Sequence, residues 1–275
     1  MINRLDPRIY QITILASLLV YGITELDFEV NLIRSLIILA SVLSTQYLFT
    51  RFLNLGKFDP KSPLISGLSL CLLLRSDSIV LIILCAVITI ASKYVLRWQG
   101  KHIFNPTNIG IVIMLLLFEN TWVSPGQWGN AAFMGFLIAC IGGLVVNRAS
   151  RSDVTYAFMF FYTALICGRA IWLGDTLLIP FHQVQNGALL IFTFFMISDP
   201  KTTPDTRVGR ILFALIVSLV AYYFQFVLFN TNALFYALAG SSLLVPIIDM
   251  LIKGKKYEWK KSSELQIIRI KEALS

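Results

Sequence analysis

Ten apolar stretches follow one another along this chain, separated by short polar breaks, and they dictate the solvent in which it can fold. They lie near residues 9–24, 29–51, 63–75, 78–96, 105–118, 129–147, 154–173, 183–198, 208–229 and 232–252. A helix rising 1.5 Å per residue needs about 20 residues to cross a hydrocarbon core about 30 Å thick, and most of these stretches approach that length. With 57% hydrophobic and 14% charged residues, there are too few polar side chains to cover a water-soluble globule of this size. The expectation is an all-α polytopic membrane protein with about ten transmembrane helices and the lipid bilayer as its surroundings. The apolar run from Ile9 to Ile23 leads into an acidic turn with no small-residue cleavage site, so it reads as a retained first span.

Charge sets the orientation. Lysine and arginine fall into alternate connections: Arg4 and Arg8; Arg51, Lys57 and Lys61; Arg97 and Lys101; Arg148 and Arg151; Lys201, Arg207 and Arg210; and the tail from Lys253 to Lys261. The opposite connections hold Glu25, Asp27 and Glu29, then Glu119 with Trp122 and Trp128, then Asp175, then the uncharged Asn230 to Asn232, with Arg75 and Arg169 as exceptions. Cytoplasmic loops carry the basic excess, so this alternation predicts an even span count and both termini in the cytoplasm; the membrane expected is a bacterial-type cytoplasmic (inner) one. The net charge of +8 then reflects topology, with no nucleic-acid partner implied. Cys71, Cys85, Cys140 and Cys167 stand singly in apolar stretches and read as small core residues rather than metal or redox groups.

Three stretches are short: Pro63 to Leu74, Asn105 to Phe118 and Val184 to Ser198, roughly 18 to 22 Å of helix against the 30 Å core. Short helices at matched places in two halves point to an inverted-repeat fold. Ile65-Ser66-Gly67-Leu68-Ser69, an apolar run and Ser76-Asp77 resemble Gln185-Asn186-Gly187-Ala188-Leu189, an apolar run and Ser198-Asp199. We therefore expect one membrane domain over 1–253, built of two inverted five-helix repeats, 1–120 and 128–253, with 254–275 a basic cytoplasmic tail. The two Ser-Asp ends then face opposite sides. The competing reading is that any two apolar runs holding a glycine look alike.

The polar clusters between spans are where chemistry could sit. Asn105 followed by Pro106 is an N-cap with proline at the first helical position, and Asn108 lies one turn on. Such a helix start could receive an anion or a polarised carbonyl, or be no more than a well-capped start. Ser198 to Thr206, with two prolines and alternating hydroxyl and carboxyl groups, is a structured break rather than a helix interior. It contributes Asp199, Thr202 and Thr203, and Arg207 and Arg210 follow, able to pair with Asp199, Asp205 or a ligand phosphate, or present only for topology. Asp249 and Lys93 lie near the cytoplasmic ends of the last and fourth spans. Lys93 has a stem long enough to snorkel, which makes Asp249 the more interesting of the two. His102 and His182 have no partner at ligand spacing, and no hydrolase triad, nucleotide loop or paired carboxylates occur.

Together, Phe194-Phe195-Met196-Ile197-Ser198-Asp199-Pro200-Lys201-Thr202-Thr203-Pro204, Arg207-Val208-Gly209-Arg210 and Val245-Pro246-Ile247-Ile248-Asp249 resemble the C-terminal half of the RnfD family, membrane components of the Rnf electron-transport complex. That family is related to the NqrB component of the sodium-pumping NADH:quinone reductase. Ile65-Ser66-Gly67-Leu68 and Phe104-Asn105-Pro106-Thr107-Asn108-Ile109-Gly110 resemble its N-terminal half. The resemblance runs from about Lys61 to Ile252 and implies a ten-helix inverted repeat, a flavin-dependent redox chain and coupling to Na+ or H+ movement. It also implies FMN attached by phosphoester to the threonine of a Ser-Gly-Ala-Thr type motif in the outward connection after the fifth span. Here that connection reads Glu119-Asn120-Thr121-Trp122, without the motif, and Ser152-Asp153-Val154-Thr155 neither matches nor lies on the right side. The cofactor implied is therefore a non-covalent flavin, FMN or riboflavin, and covalent FMN is not expected.

The leading expectation is a membrane subunit of a flavin-linked electron-transfer or redox-coupled ion-transport system, working with other membrane or redox subunits. Asn105, Asn108, Thr202, Thr203, Arg207 and Arg210 are its candidate cofactor-binding residues, and Gly67, Gly187, Asp199 and Asp249 its candidate cavity residues. The alternatives are a stand-alone channel or carrier for a small solute or ion, and a membrane anchor for a partner bound to the basic tail.

Overall fold

Every apolar stretch that falls within the described residues forms helix. The computed structural model describes residues 6–24, 31–54, 56–124 and 151–257, together with Gly143 and Asn147. Apart from those two residues the stretch 129–147 lies outside the described residues, as do Arg4, Glu25, Asp27, Glu29, Trp128, Cys140, Arg148 and the tail beyond 257. The first half contains α1 (Pro7–Thr24), α2 (Leu32–Phe52), α3 (Lys61–Leu73), α4 (Ile79–Val95) and α5 (Pro106–Leu117). The second contains α6 (Ser152–Leu173), α7 (Leu178–Val184), α8 (Gly187–Ile191), α9 (Arg207–Phe226), α10 (Ala233–Ser242) and α11 (Val245–Leu251). α8 continues directly into a π-helical turn over Phe192–Met196.

Length and composition qualify three of these helices to cross a membrane alone: α2, α6 and α9. α10 and α11 pass the same test together, bent by 43°. The expected single last span is thus broken, because Pro246 in the first turn of α11 has no N–H to continue the ladder of α10. α3, α4, α5 and the α8–π segment are shorter apolar helices. Their outward faces and those of the longer helices are apolar, with Val80, Leu117, Phe160 and Trp172 all more than two-thirds exposed. Such a surface suits lipid and would aggregate in water.

The expectation of an all-α chain needs correction in detail. β1 (Leu74–Ser76) pairs antiparallel with β4 (Thr121–Val123), and β2 (Arg97–Trp98) with β3 (Lys101–His102) as a hairpin. Both pairs lie beyond helix ends, where short connections find hydrogen bonds that the interrupted helices cannot supply. The same need explains Arg75, an exception to the charge alternation. Its guanidinium turns back onto the last turn of α3, donating to the carbonyls of Cys71 at 2.9 Å and Leu74 at 2.8 Å. It caps a helix end that the surrounding apolar core leaves unsatisfied. Thr121 does the same for α5, its hydroxyl donating to the carbonyls of Met114 at 3.0 Å and Phe118 at 2.7 Å.

Helix neighbours recur in the two halves: α2 packs along α4 and α4 along α5, while α6 packs along α9 and α9 along α10. α5 and α10 meet between the halves. The two ends of α5 also locate the Ser-Asp pairs. Ser76 Oγ donates to the carbonyl of Asn120, just past the end of α5, at 2.9 Å. Asp199 accepts from Asn105, the N-cap of the same helix, at 3.4 Å. Asp77, next to Ser76, and Asp199 therefore lie at opposite ends of α5. The basic connections gather at the Asn105 end and are knitted together there. Arg8 pairs with Asp59 at 2.6 Å, and Lys61 with Asp6 at 2.9 Å. Burial alone would raise the Asp6 carboxyl, but hydrogen bonds from Arg8 and Lys61 hold it at about 2.

α4 and α5 touch at Gly110, where an added Cβ would come within 2.0 Å of Thr89 Oγ1 and 3.3 Å of the Thr89 Cα. Gly110→Ala should therefore destabilise the protein by about 1–3 kcal/mol through overpacking. Gly168→Ala, on α6 with open space around it, should be neutral. Thermal melts in one detergent compare the two.

Candidate functional site

Elements of both halves end in one polar cavity of about 240 Å³ at the Asn105 end of the bundle. α1 brings Arg8, α3 brings Ser62 and Ser66, α4 brings Lys93, the β3 end brings His102, and the π turn leads into Asp199. The start of α5 forms one wall. Asn105 caps it, its side-chain oxygen accepting from the Asn108 amide at 3.1 Å, and its Nδ2 reaches across to the Met196 carbonyl at 3.3 Å as well as to Asp199. One asparagine side chain thus ends a first-half helix and holds the π turn of the second half.

Lys93 is 5% exposed and does not snorkel. Its ammonium donates to Ser62 Oγ at 3.0 Å inside the cavity. The inward direction is legible in the sequence: Ile82, Ala86, Thr89 and Lys93 follow at helical spacing, and all four are buried. Opposite stands Asp199. Its carboxylate accepts from the Lys201 amide at 3.0 Å, and its own carbonyl gathers the amides of Thr202 and Thr203, each at 3.1 Å. Burial raises the Asp199 carboxyl above its usual range, against the Lys201 amide and the nearby positive charges. Arg151 ties this loop to the start of α6, donating to Thr203 Oγ1 at 3.1 Å.

A second cluster closes the same face. Lys101, on the β2–β3 hairpin, bridges Asp205 at 3.0 Å and Asp249 at 2.6 Å. Asp249 also accepts from the Asp205 amide at 2.8 Å. Asp249 is thus a clasp between the halves, beside a more open cavity of about 490 Å³ on which Trp98, His102, Met250 and Lys253 border. His102 Nδ1 is buried without a hydrogen-bond partner. Burial, with repulsion from Arg97, Lys93 and Lys201, pushes its imidazole down to about 4.

The remaining candidates lie elsewhere. Arg210 pairs with Asp153, Nε to Oδ1 at 2.9 Å, and donates to the Asp205 carbonyl at 2.9 Å, so its carboxylate partner is neither Asp199 nor Asp205. Arg207 is exposed, away from both cavities. Asn108 is fully buried between the halves, donating to the Phe235 carbonyl at 3.1 Å. Gly67 faces Val42 and Leu39 of α2, a packing position. Gly187 begins α8 behind Asn186, whose side chain accepts from Ala188 and Leu189. Sequence reasoning missed Lys101, Arg151 and Asp153, whose partners lie 52 to 148 residues away.

A family model described as the NQR2, RnfD, RnfE family matches residues 121–258. The D-type subunit of the ion-translocating oxidoreductase complex of Citrobacter koseri is 27% identical over 135 residues, 48% of this chain and 36% of that protein. Its counterpart from Escherichia coli O1:K1 is 27% identical over 139 residues, 49% and 37% of the two chains. The matched stretch therefore spans little more than a third of the length of these relatives. The family match covers the second half of the chain, including Asp199, Asp205 and Asp249, while Lys93, Lys101 and Asn105 lie before it.

Two outcomes follow. Lys101→Met leaves two adjacent carboxylates without their shared cation and should destabilise the protein by on the order of 3 kcal/mol, read as a lowered melting temperature. His102 is neutral in the folded state far below its ordinary 6.5, so the unfolded chain takes up the proton first. The stability this confers is complete above 6.5 and is lost as pH falls toward 4. His102→Gln should flatten the acid limb of melting temperature against pH in that window, and an unchanged limb would refute the assignment.

Proposed function

The chain belongs to the NQR2, RnfD, RnfE family, and from that premise we propose that it is a membrane subunit of an ion-translocating oxidoreductase complex. The observation that supports this most is that Lys93, buried, and Asp199, partly buried, carry opposite charges and line one polar cavity where the two halves meet. Ionisable groups held inside an apolar bundle mark ion or proton routes more often than structural sites. The finer architecture we propose is two five-helix repeats of opposite insertion, in an inner membrane with both termini cytoplasmic. The recurrence of helix neighbours and the placement of Asp77 and Asp199 at opposite ends of α5 support it.

A non-covalent flavin, FMN or riboflavin, is the cofactor of this reading. Thr121 does not suit covalent attachment, because it is buried and its hydroxyl is committed to the end of α5. Trp98, half exposed beside the 490 Å³ cavity, offers a face on which a flat ring could stack, with Lys253 at the rim for a phosphate. Bound there, a flavin would supply one- and two-electron transfer. Trp98 would orient the ring, and Lys101, held by Asp205 and Asp249, would fix the cavity floor.

Affinity purification of the chain from its native membrane tests the reading. We expect flavoprotein or iron–sulfur subunits in the eluate and a yellow absorbance band that passes a size filter after denaturation. Colourless protein with no redox subunit, together with solute uptake by liposomes holding this chain alone, would replace the reading by a stand-alone carrier.

A further inference from the structure

Beyond the end of α11 at Leu251, residues 253–257 run in neither helix nor strand. Lys253 to Lys256 are exposed, yet the segment is tied down along its length. Gly254 lies so close to the loop before α9 that an added Cβ would stand 2.6 Å from Thr206 Cγ2 and 3.2 Å from the carbonyl carbon of Asp205. Lys256 Nζ donates to the Gln99 carbonyl, at the turn of the β2–β3 hairpin, at 3.1 Å. The Tyr257 carbonyl accepts from Lys201 Nζ at 3.3 Å, and the Tyr257 ring centroid lies 4.8 Å from Arg151 Cζ.

These anchors belong to different halves. Gln99 lies between α4 and α5 of the first, whereas Arg151, Lys201 and Asp205 belong to the second. The segment therefore bridges the halves, and it does so beside the cavity of about 240 Å³. Pro200 and Lys201 border both that cavity and a recess of about 120 Å³ that Lys256 and Tyr257 also line. Burial pushes the Tyr257 phenol up from its usual value, and after Arg151 the charges that act on it are those of Asp6, Arg8 and Asp199. Arg8 and Asp199 line the larger cavity, so the phenol stands at its edge. Arg151 also donates to Thr203 Oγ1, which makes one guanidinium the bracket for both the segment and the loop that carries Asp199.

The contacts differ in how readily they open. An exposed ammonium–carbonyl bond such as Lys256 to Gln99 exchanges for water at little cost. A ring stacked on a guanidinium is harder to undo, because both faces give up water when it closes. We propose that residues 253–257 are a releasable strap over the mouth of the 240 Å³ cavity, closed against Gln99 of the first half and Arg151 of the second, and that entry from the Asn105 end requires its release. Release swaps the Lys256–Gln99 bond for water and lifts the Tyr257 ring from Arg151. The inference goes beyond the subunit reading, since closure is independent of what passes through the cavity and needs neither redox partners nor a cofactor.

The test uses the purified full chain in lipid nanodiscs, with Ser66→Cys placed on the cavity wall. Labelling by a small water-soluble methanethiosulfonate is followed residue by residue by mass spectrometry. Cys71, 2% exposed in the core, should stay unlabelled throughout. Tyr257→Ala should speed labelling at position 66 by about threefold to thirtyfold, the effect of losing one ring–guanidinium contact. Tyr257→Phe keeps the ring and should label at the original rate. Gly254→Val, pushed off Thr206 and Asp205, should label as fast as Tyr257→Ala. Ser69→Cys, on the same cavity wall, gives the same readings if Ser66→Cys does not fold. The strap is refuted if Tyr257→Ala or Gly254→Val leaves the rate unchanged, if Tyr257→Phe speeds labelling as much as Tyr257→Ala, or if Cys71 labels in step with position 66, which would mean general loosening. A chain that gives the expected pattern but purifies colourless and alone would lose the complex-subunit reading and keep the strap.

Discussion

Backbone groups at a helix end cannot go unsatisfied in an apolar medium, and the architecture here follows from how each interrupted helix meets that demand. A span that crosses lipid completely leaves its ends in water. α3, α5 and α8 do not, and each broken end has acquired a polar side chain of its own. Asn105 and Asn186 accept from the first amides of α5 and α8. Arg75 and Thr121 donate to the last carbonyls of α3 and α5. Polar residues brought in to close helices are then available for other tasks, and Asn105 shows the transition, since the side chain that caps α5 also reaches Asp199.

The charged connections serve a second purpose in the same way. The basic excess that orients a membrane protein would be satisfied by lysines and arginines anywhere in the loops. Here several are fixed: Arg8 and Lys61 lock the start of α1 to the start of α3, and Lys101 fastens the first half to Asp205 and Asp249 of the second. Such partly buried pairs hold geometry more than they add stability, because desolvation offsets much of the attraction. Their value lies in setting the spacing of the two halves around the cavity.

The helices are legible because apolar runs and proline or asparagine starts are local signals. Asn105-Pro106 locates the start of α5 to the residue. The break before Pro246 is readable in principle, yet hydropathy continues across it and masks it. The direction of Lys93 is also local, given by the buried stripe Ile82, Ala86, Thr89 and Lys93, but a long stem suggests the opposite. What no local pattern reveals is partnership across the fold. Lys101 finds Asp249 at a separation of 148 residues, and Arg210 finds Asp153 at 57. Asp199, Asp205 and a ligand phosphate are the partners the sequence offers Arg210, and of Asp205 it is the backbone carbonyl that Arg210 engages.

The π turn over Phe192–Met196 fixes the azimuth of everything after it. An α-helix advances about 100° per residue, whereas a wider winding holds an extra residue in the same rise. Ser198 and Asp199 emerge from that widened turn, so their bearing is offset from the one a regular helix beginning at Gly187 would give. The five residues act as a vernier: they let an otherwise ordinary apolar helix set Phe192 between Phe158 and Phe235 and still deliver a carboxylate to the cavity that Lys93 lines.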